Sequence, residues 1–400
     1  MSQANAEHRP ASTAQPETPK PCATPFGSIA LLLQGGGALG SYQAGVYEAL
    51  MGAGIEPTWV AGISIGAINS AIIAGNAPND RLDRLQAFWN MVSDAGDRGW
   101  TDMWAGLWQG DQARGYANQF AATRAMLSGV PGFYDPRFPP PNLLPSGAAG
   151  ATSWYDTTKL RGTLERLVDF DRINAKAMRF SVGAVNVRTG NFAYFDTEKD
   201  RIRAEHVMAS GALPPAFDAV EVDGEFYWDG GLVSNTPLDW VINSHPLLDT
   251  LAFQVDLWSA SGKLPRDLAA VAVRIKEVQF SSRTRASTDA FRKAQALRGA
   301  FNALLKHLPP ELLDRPEVKL LTEAADPGFY SIAQLVYHSP TYEGESKDYE
   351  FSRATMLDHW AAGLADIRRT LEHPQVLERP KFSHAVDVYD FSAREHPPTH

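Results

Sequence analysis

Between Ser28 and about Trp258 short apolar runs alternate with segments of helical periodicity, the pattern of a largely parallel sheet covered by helices. "SIALLLQ" (28–34) is a continuous apolar run of the kind found in strands buried on both faces. Three glycines follow it, Gly35, Gly36 and Gly37. Leu39, Tyr42, Val46, Ala49 and Leu50 then recur at helical spacing, with a stop at Gly52 and Gly54. "PTWVAG" predicts a second strand and "IGAINSAIIAG" a helix of small residues. Two hairpins are expected further on. "FSVGAVNVRTGNFAYFD" turns at Thr189 to Asn191, and "VEVDGEFYW" at Asp223-Gly224, a dipeptide suited to a type I′ turn. "DTLAFQVDLW" reads as the last core strand. From about Ser259 the pattern is mainly helical. Phe291, Ala294, Leu297, Phe301, Leu304 and Leu308 mark one expected apolar face, closed by Pro309.

The stretch from Asp80 to Ser153 differs in character. It carries Trp89, Trp100, Trp104 and Trp108, then the irregular "GVPGFYDPRFPPPNLLPSGAAG", and reads as a lid or insertion. Trp100, Trp104 and Trp108 stand at i, i+4 and i+8. That spacing suits a lid, a membrane boundary or ordinary core packing. Residues 1–27 are polar and rich in Ala, Pro, Thr and Ser, and are expected to form a disordered tail. The expected organisation is therefore a tail at 1–27, a core domain at 28–258 with 80–153 as its insertion, and a mainly helical extension at 259–400.

Composition narrows the function. A chain of 400 residues with 44% apolar and 21% charged residues can bury a large core. Its net charge of −9 argues against general nucleic-acid binding. The single cysteine, Cys22, allows no intrachain disulfide and no cysteine-based metal cluster. No paired histidine spacing suggests a metal either. Residues 1–25 are polar and are not expected to act as a secretory signal, and no run approaches the roughly 18 apolar residues of a membrane span. A cytoplasmic protein without metal or cofactor is expected, with peripheral contact to the inner face of the membrane left open. Arg274, Lys276, Arg283, Arg285, Arg292, Lys293, Arg298 and Lys306 crowd one stretch. They read as a solvated helix face or as a surface for anionic lipid or phosphate.

Two glycine-flanked turns carry the candidate chemistry. "GISIG" (62–66) is G-x-S-x-G between a short strand and a helix, the setting that projects a serine hydroxyl clear of the backbone. Ser64 is the candidate nucleophile, and the helix start at Ile65 offers unpaired N–H groups to an anion. "GGGALG" (35–40) also satisfies G-x-G-x-x-G, the dinucleotide fingerprint. That reading wants an acid at the end of the second strand. Glu56 precedes that strand instead, and "GISIG" occupies the acid's place. Acyl transfer accounts for both turns, with Gly36, Gly37 and Ile65 donating N–H groups to an oxyanion. The base would be Asp229 of "YWDGGLVSNTP", and Phe226 and Trp228 beside it in sequence are expected to shield it.

"GGGALG", "GISIG" and "DGG", in that order, with "MASGALPPAF" ahead of the aspartate, resemble the patatin-like phospholipase family over roughly 28–258. The resemblance implies a three-layer α/β patatin-like fold with a mostly parallel central sheet, here with the helical C-terminal extension. It implies hydrolysis of lipid acyl esters by a Ser64–Asp229 dyad through an acyl-enzyme. Gly35, Gly36, Gly37, Ala38 and Ile65 would form the oxyanion hole, and Gly40, Gly62, Gly66, Gly230 and Gly231 the motif turns. Leu39 departs from the pattern, since the family often has Arg or Lys there, and this puts headgroup preference in question. Four other readings stand beside it. They are a histidine triad using His338 or His359, hydrolysis of a neutral glyceride or hydroxyalkanoate oligomer, a non-catalytic lipid-binding scaffold, and, remotely, a dinucleotide-binding oxidoreductase.

Overall fold

In the computed structural model the described residues are 22–93, 111–244, 246–324, 328–340, 342–380 and 386–391. Trp100, Trp104 and Trp108 lie outside them. The chain enters through β1 (Ser28–Leu33), every residue of which is buried. After the glycine loop come α1 (Ser41–Gly52), β2 (Trp59–Gly62), α2 (Ile65–Ala74), α3 (Arg81–Ser93) and α4 (Asp111–Ser128). The sheet continues with β3 (Arg179–Asn186) and β4 (Phe192–Asp196), then α5 (Ala204–Ser210), β5 (Val220–Val222) and β6 (Glu225–Asp229). The helix α6 (Leu238–Asn243) leads to β7 (Thr250–Asp256). Beyond it stand α7 (Leu268–Leu305), β8 (Tyr330–Val336), α8 (Arg353–Leu371) and β9 (Val386–Asp390).

The strands form one nine-stranded sheet in the order β9-β8-β7-β1-β2-β3-β6-β5, with β4 also on β3. Among the described residues six neighbours, from β9 to β3, run parallel, and the pairs β3–β4, β3–β6 and β5–β6 are antiparallel. Alternate residues of β1 feed two cores. Ile29, Leu31 and Leu33 pack with α1, α2 and α3 on one face, while Ala30 and Leu32 pack with α6 and Phe291 of α7 on the other. The architecture is thus α/β in three layers. Both expected hairpins form, and Asp223 and Gly224 have φ of 51° and 85°, as a type I′ turn requires.

Five expectations change. The tail ends earlier than 27, because the Cys22 N–H donates to the Gly54 carbonyl at 2.8 Å and Phe26 joins the core. The start of the expected lid, α3, is a core helix burying Leu85, Phe88, Trp89 and Val92. β7 is not the last core strand, since β8 and β9 from the C-terminal region extend the sheet beyond it. The mainly helical character of that region hid them. Finally, α7 buries Ser281, Thr288, Phe291 and Gln295, whereas Leu297 and Leu304 are 66% and 55% exposed. Phe291 of the expected face is buried, but its buried neighbours among the described side chains are polar residues that apolar periodicity does not mark. The basic run is not one solvated face either. Arg274 pairs with Glu277 and Lys276 with Asp348, while Arg283 and Arg285 lie outside the residues whose side chains are described.

The C-terminal region is held by backbone-close packing of α8 on α1. A Cβ on Gly363 would stand 2.0 Å from the Tyr42 carbonyl oxygen, and one on Gly45 2.0 Å from that of Trp360. Neither backbone can retreat without opening the core. Gly363→Val is therefore expected to lower unfolding free energy by about 3 kcal/mol or more, the upper range for overpacking, in urea titration. A loss under about 1 kcal/mol would contradict this crossing.

Candidate active site

β2 delivers Ser64 and β6 delivers Asp229 to one point on β3. Gly62 pairs with Val182 and Asp229 with Ala184, so the two strand ends are two β3 residues apart. β4 occupies the opposite edge of β3 along Ser181 to Val185. β2 and β6 must therefore share the remaining edge, meeting head to head at Gly183. Ser64 stands just past the end of β2 with φ 56° and ψ −124°, a strained conformation for a residue with a Cβ. Its N–H donates to the carbonyl and the hydroxyl of Ser210, both at 3.1 Å, and the Ser210 hydroxyl donates to the Gly183 carbonyl at 2.7 Å. The strained turn is thus tied to the junction of the two strands. Gly62 and Gly66 flank it, and Gly40 packs against Ile65.

Asp229 is 2% exposed. Its Oδ1 accepts the Gly231 N–H at 2.7 Å, and Gly230 packs on the Gly183 carbonyl. Burial pushes the carboxyl up to about 6, against the lowering effects of hydrogen bonds from the Ser64 side chain and the Gly231 N–H. The expected shield is corrected. Phe226 and Trp228 lie on the opposite face of β6 by the two-residue alternation of a strand, and Phe226 is 51% exposed. The desolvation comes instead from the strand junction and the cavity walls.

A cavity of about 330 Å³ opens beside Ser64 and Asp229. Gly35, Gly36, Gly37 and Ile65 line it, and Ala38 does not. The N–H of Gly35 donates to Asn235 Oδ1 at 3.2 Å, and that of Ala38 to the Asp348 carbonyl at 2.8 Å. Both are thereby withdrawn from the expected set of oxyanion donors. Among the described residues none accepts a hydrogen bond from the N–H of Gly36, Gly37 or Ile65. The rest of the wall is aromatic and aliphatic, including Phe133, Tyr134, Phe217, Trp258, Phe280 and Phe351. Met126 of α4 is half-exposed at its edge.

Sequence reasoning missed Ser210, Asn235, Trp258 and Asp348. Ser210 and Asn235 stood inside motifs already singled out, "MASGALPPAF" and "DGGLVSNTP", but nothing in sequence reveals which side chains turn back onto a neighbouring loop. The structure does not bring the rival residues to the cavity. His359 is buried against Glu343 at 3.0 Å, and neither it nor His338 is a lining residue. Glu56 pairs with Arg81 at 2.8 Å ahead of β2.

A family model described as patatin-like phospholipase matches residues 31–242, more than half of the chain, and a second, described as patatin phospholipase, matches 278–383. No curated protein matches. Among solved structures, VipD from Legionella pneumophila has a TM-score of 0.35 and 16% identity over 84% of this chain and 66% of its own. The ExoU–SpcU heterodimer of the type III secretion system of Pseudomonas aeruginosa has a TM-score of 0.27 and 14% identity, over 91% and 85%.

The raised Asp229 carboxyl has a consequence for stability. Folded it titrates at about 6, against 3.8 unfolded, so the native state holds the proton more tightly. Ionisation therefore destabilises the fold as pH rises from about 4, with the full cost present above about 6. Asp229→Asn is expected to match the native chain's stability at pH 4 and exceed it at pH 8, by at most about 3 kcal/mol. Thermal melts at the two pH values check this, and a lower melting temperature at pH 8 would contradict it.

Proposed function

The chain belongs to the patatin-like phospholipase family, and we propose that it is a serine hydrolase that cleaves lipid acyl esters with Ser64 as nucleophile and Asp229 as its general base. The observation that carries the reading is the meeting of Ser64 and a buried, proton-hungry Asp229 at Gly183, in a cavity also lined by Gly36 and Gly37, whose N–H groups have no acceptor among the described residues. An ordinary carboxylate is a poor base toward a hydroxyl. One raised to about 6 is closer to the optimum for work near neutrality, while still ionised there.

Asp229 takes the Ser64 hydroxyl proton as Oγ bonds to the ester carbon, and the carbonyl oxygen becomes an oxyanion. Gly36, Gly37 and Ile65 donate N–H groups to that charge, and the α2 N-terminus adds positive potential. Collapse breaks the ester C–O bond, and the leaving alkoxide takes the proton from Asp229. Water then attacks the acyl-enzyme, giving its proton to Asp229, which returns it to Ser64 as the acid departs. The acyl chain lies along the wall formed by Phe133, Phe217 and Phe351.

One observation favours the neutral-ester reading within this class. Among the described residues that line the cavity, the ionisable acids are Asp229 and Asp348, the latter with its carboxylate paired to Lys276, and no Lys, Arg or His lines it to meet a phosphate. A glyceride or hydroxyalkanoate oligomer needs no cation on that wall, whereas the phosphate of a phospholipid would find none there. Access from a membrane surface is compatible with it. No helix of the described residues is long and apolar enough to cross a membrane.

Intact-mass labelling with a long-chain alkyl fluorophosphonate tests the nucleophile. One adduct is expected on the native chain, none on Ser64→Ala, and labelling at least about 100-fold slower on Asp229→Asn. No adduct on the native chain, with or without detergent, would count against hydrolysis and for the scaffold. On a soluble p-nitrophenyl ester, kcat/KM is expected to rise with pH through an inflection near 6, because protonated Asp229 accepts no proton. A profile flat from pH 5 to 8 would remove Asp229 from the role of base.

A further inference from the structure

The two free N–H groups of the glycine loop are aimed by the peptide planes around them. In a trans peptide the C=O of one residue and the N–H of the next point in opposite directions, so fixing one aims the other. The Gly35 carbonyl accepts from Asn235 Nδ2 and Trp258 Nε1, each at 3.0 Å, which directs the Gly36 N–H away from both side chains. The Gly36 carbonyl accepts the Leu39 N–H at 3.2 Å and so orients the Gly37 N–H. The next plane is fixed from outside the loop, by the Ala38 N–H donating to the Asp348 carbonyl at 2.8 Å. Gly37 has φ of +56°, and a Cβ there would stand 2.0 Å from that same oxygen. The loop is pressed against residue 348.

Asp348 belongs to the C-terminal region, remote in sequence from the glycine loop, and is itself held. Lys276 of α7 donates to both carboxylate oxygens of Asp348, at 2.7 and 3.0 Å, and to the Glu345 carbonyl at 2.8 Å. Its ammonium also sits 4.9 Å from the centre of the Tyr349 ring. The adjoining Lys347 is buried and donates to Glu277 of α7 and to Ser339, both at 3.0 Å. The backbone carbonyl of Phe280, also on α7, accepts from Gln34 and Asn235, both at 3.3 Å. One helix thus touches both clamps on the glycine loop.

We propose that Lys276 and Asp348 form a positioning clasp, through which the C-terminal region holds the Gly36 and Gly37 N–H donors in register with Ser64. This rests on the hydrolase reading above and extends it. The transferable consequence is that residues beyond 258 belong to the frame of the reaction, although neither Lys276 nor the Asp348 carboxylate contacts the reacting atoms. Removing the Lys276 charge frees the Asp348 carboxylate, lets residues 345–349 drift, and releases the Gly37–Ala38 peptide, so that Gly37 leaves its φ of +56° and the adjoining Gly36–Gly37 peptide, which carries the Gly37 N–H, is no longer held. The loss falls on the transition state, where the oxyanion forms, rather than on acyl binding.

The test compares Lys276→Met, Lys276→Arg, Asp348→Asn and the double variant Lys276→Met/Asp348→Asn. Each is read for kcat and KM on a p-nitrophenyl ester, for the fluorophosphonate labelling rate and for melting temperature. Lys276→Met is expected to lower kcat and the labelling rate by about 10- to 30-fold, a fraction of what losing one oxyanion donor costs. KM should stay within about twofold and melting within a few degrees. Lys276→Arg should recover most of the rate, and the double variant should be no slower than the worse single variant, because both break one contact. An unchanged kcat in Lys276→Met, or a fall matched by a collapse in melting temperature that arginine does not repair, would overturn the clasp. A native chain that neither turns over ester nor labels at Ser64 would instead remove the hydrolase reading, and the clasp with it.

Discussion

The pairing along one edge of β3 is the constraint on which the site depends. β2 runs parallel to that edge and β6 antiparallel, and the two end against each other at Gly183. A one-residue slip of either strand would turn its side chains to the other face of the sheet and part Ser64 from Asp229. The register is pinned at the far end of β3 by a polar knot. Arg179, Ser181 and Trp240 all hydrogen-bond the buried Asp196, Ser181 also accepts from Trp59 of β2, and the Arg179 guanidinium lies 3.7 Å from the centre of the Trp59 ring. Those contacts hold the Asp196 carboxyl below its usual range despite burial. Polar groups with directional bonds set a register that apolar packing alone would leave free to slide.

Around that junction the protein keeps two unfavourable features in place. Ser64 holds a positive φ, and Asp229 is buried with few donors to satisfy it. Each costs stability and each suits the proposed chemistry, one by presenting the hydroxyl and the other by keeping the carboxylate basic. They persist because their surroundings leave no alternative. Ser210 fixes the turn of Ser64 to β3, and the Gly230 backbone is wedged on the Gly183 carbonyl.

The region beyond Trp258 is not an appendage in this arrangement. It adds two parallel strands to the sheet, packs α8 onto α1 at backbone distance, and supplies Phe280, Asp348, Tyr349 and Phe351 to the cavity wall. The glycine loop therefore lies between two halves of the chain. Asn235 grips Gly35 from the aspartate side, and the Asp348 carbonyl meets Ala38 from the other.

Elements whose signal is local were legible before any contact was known. Continuous apolar runs marked β1 and β2, the Asp223-Gly224 pair marked a type I′ hairpin, and glycines around Ser64 marked a tight turn whose serine needs room. Each of these depends on residues within a few positions of one another, and ordered motifs added Asp229. The folded chain set what depends on distant partners. It withdrew Gly35 and Ala38 from the donor set, because their N–H groups are used by Asn235 and Asp348 from far along the chain. It moved the shielding of Asp229 from Phe226 and Trp228 to the strand junction, since strand alternation sends those rings to the other face. It also showed that β8 and β9 belong to the central sheet, and that α7 buries a polar stripe. A hydrogen bond or a buried face is a property of two surfaces, and one stretch of sequence specifies only its own.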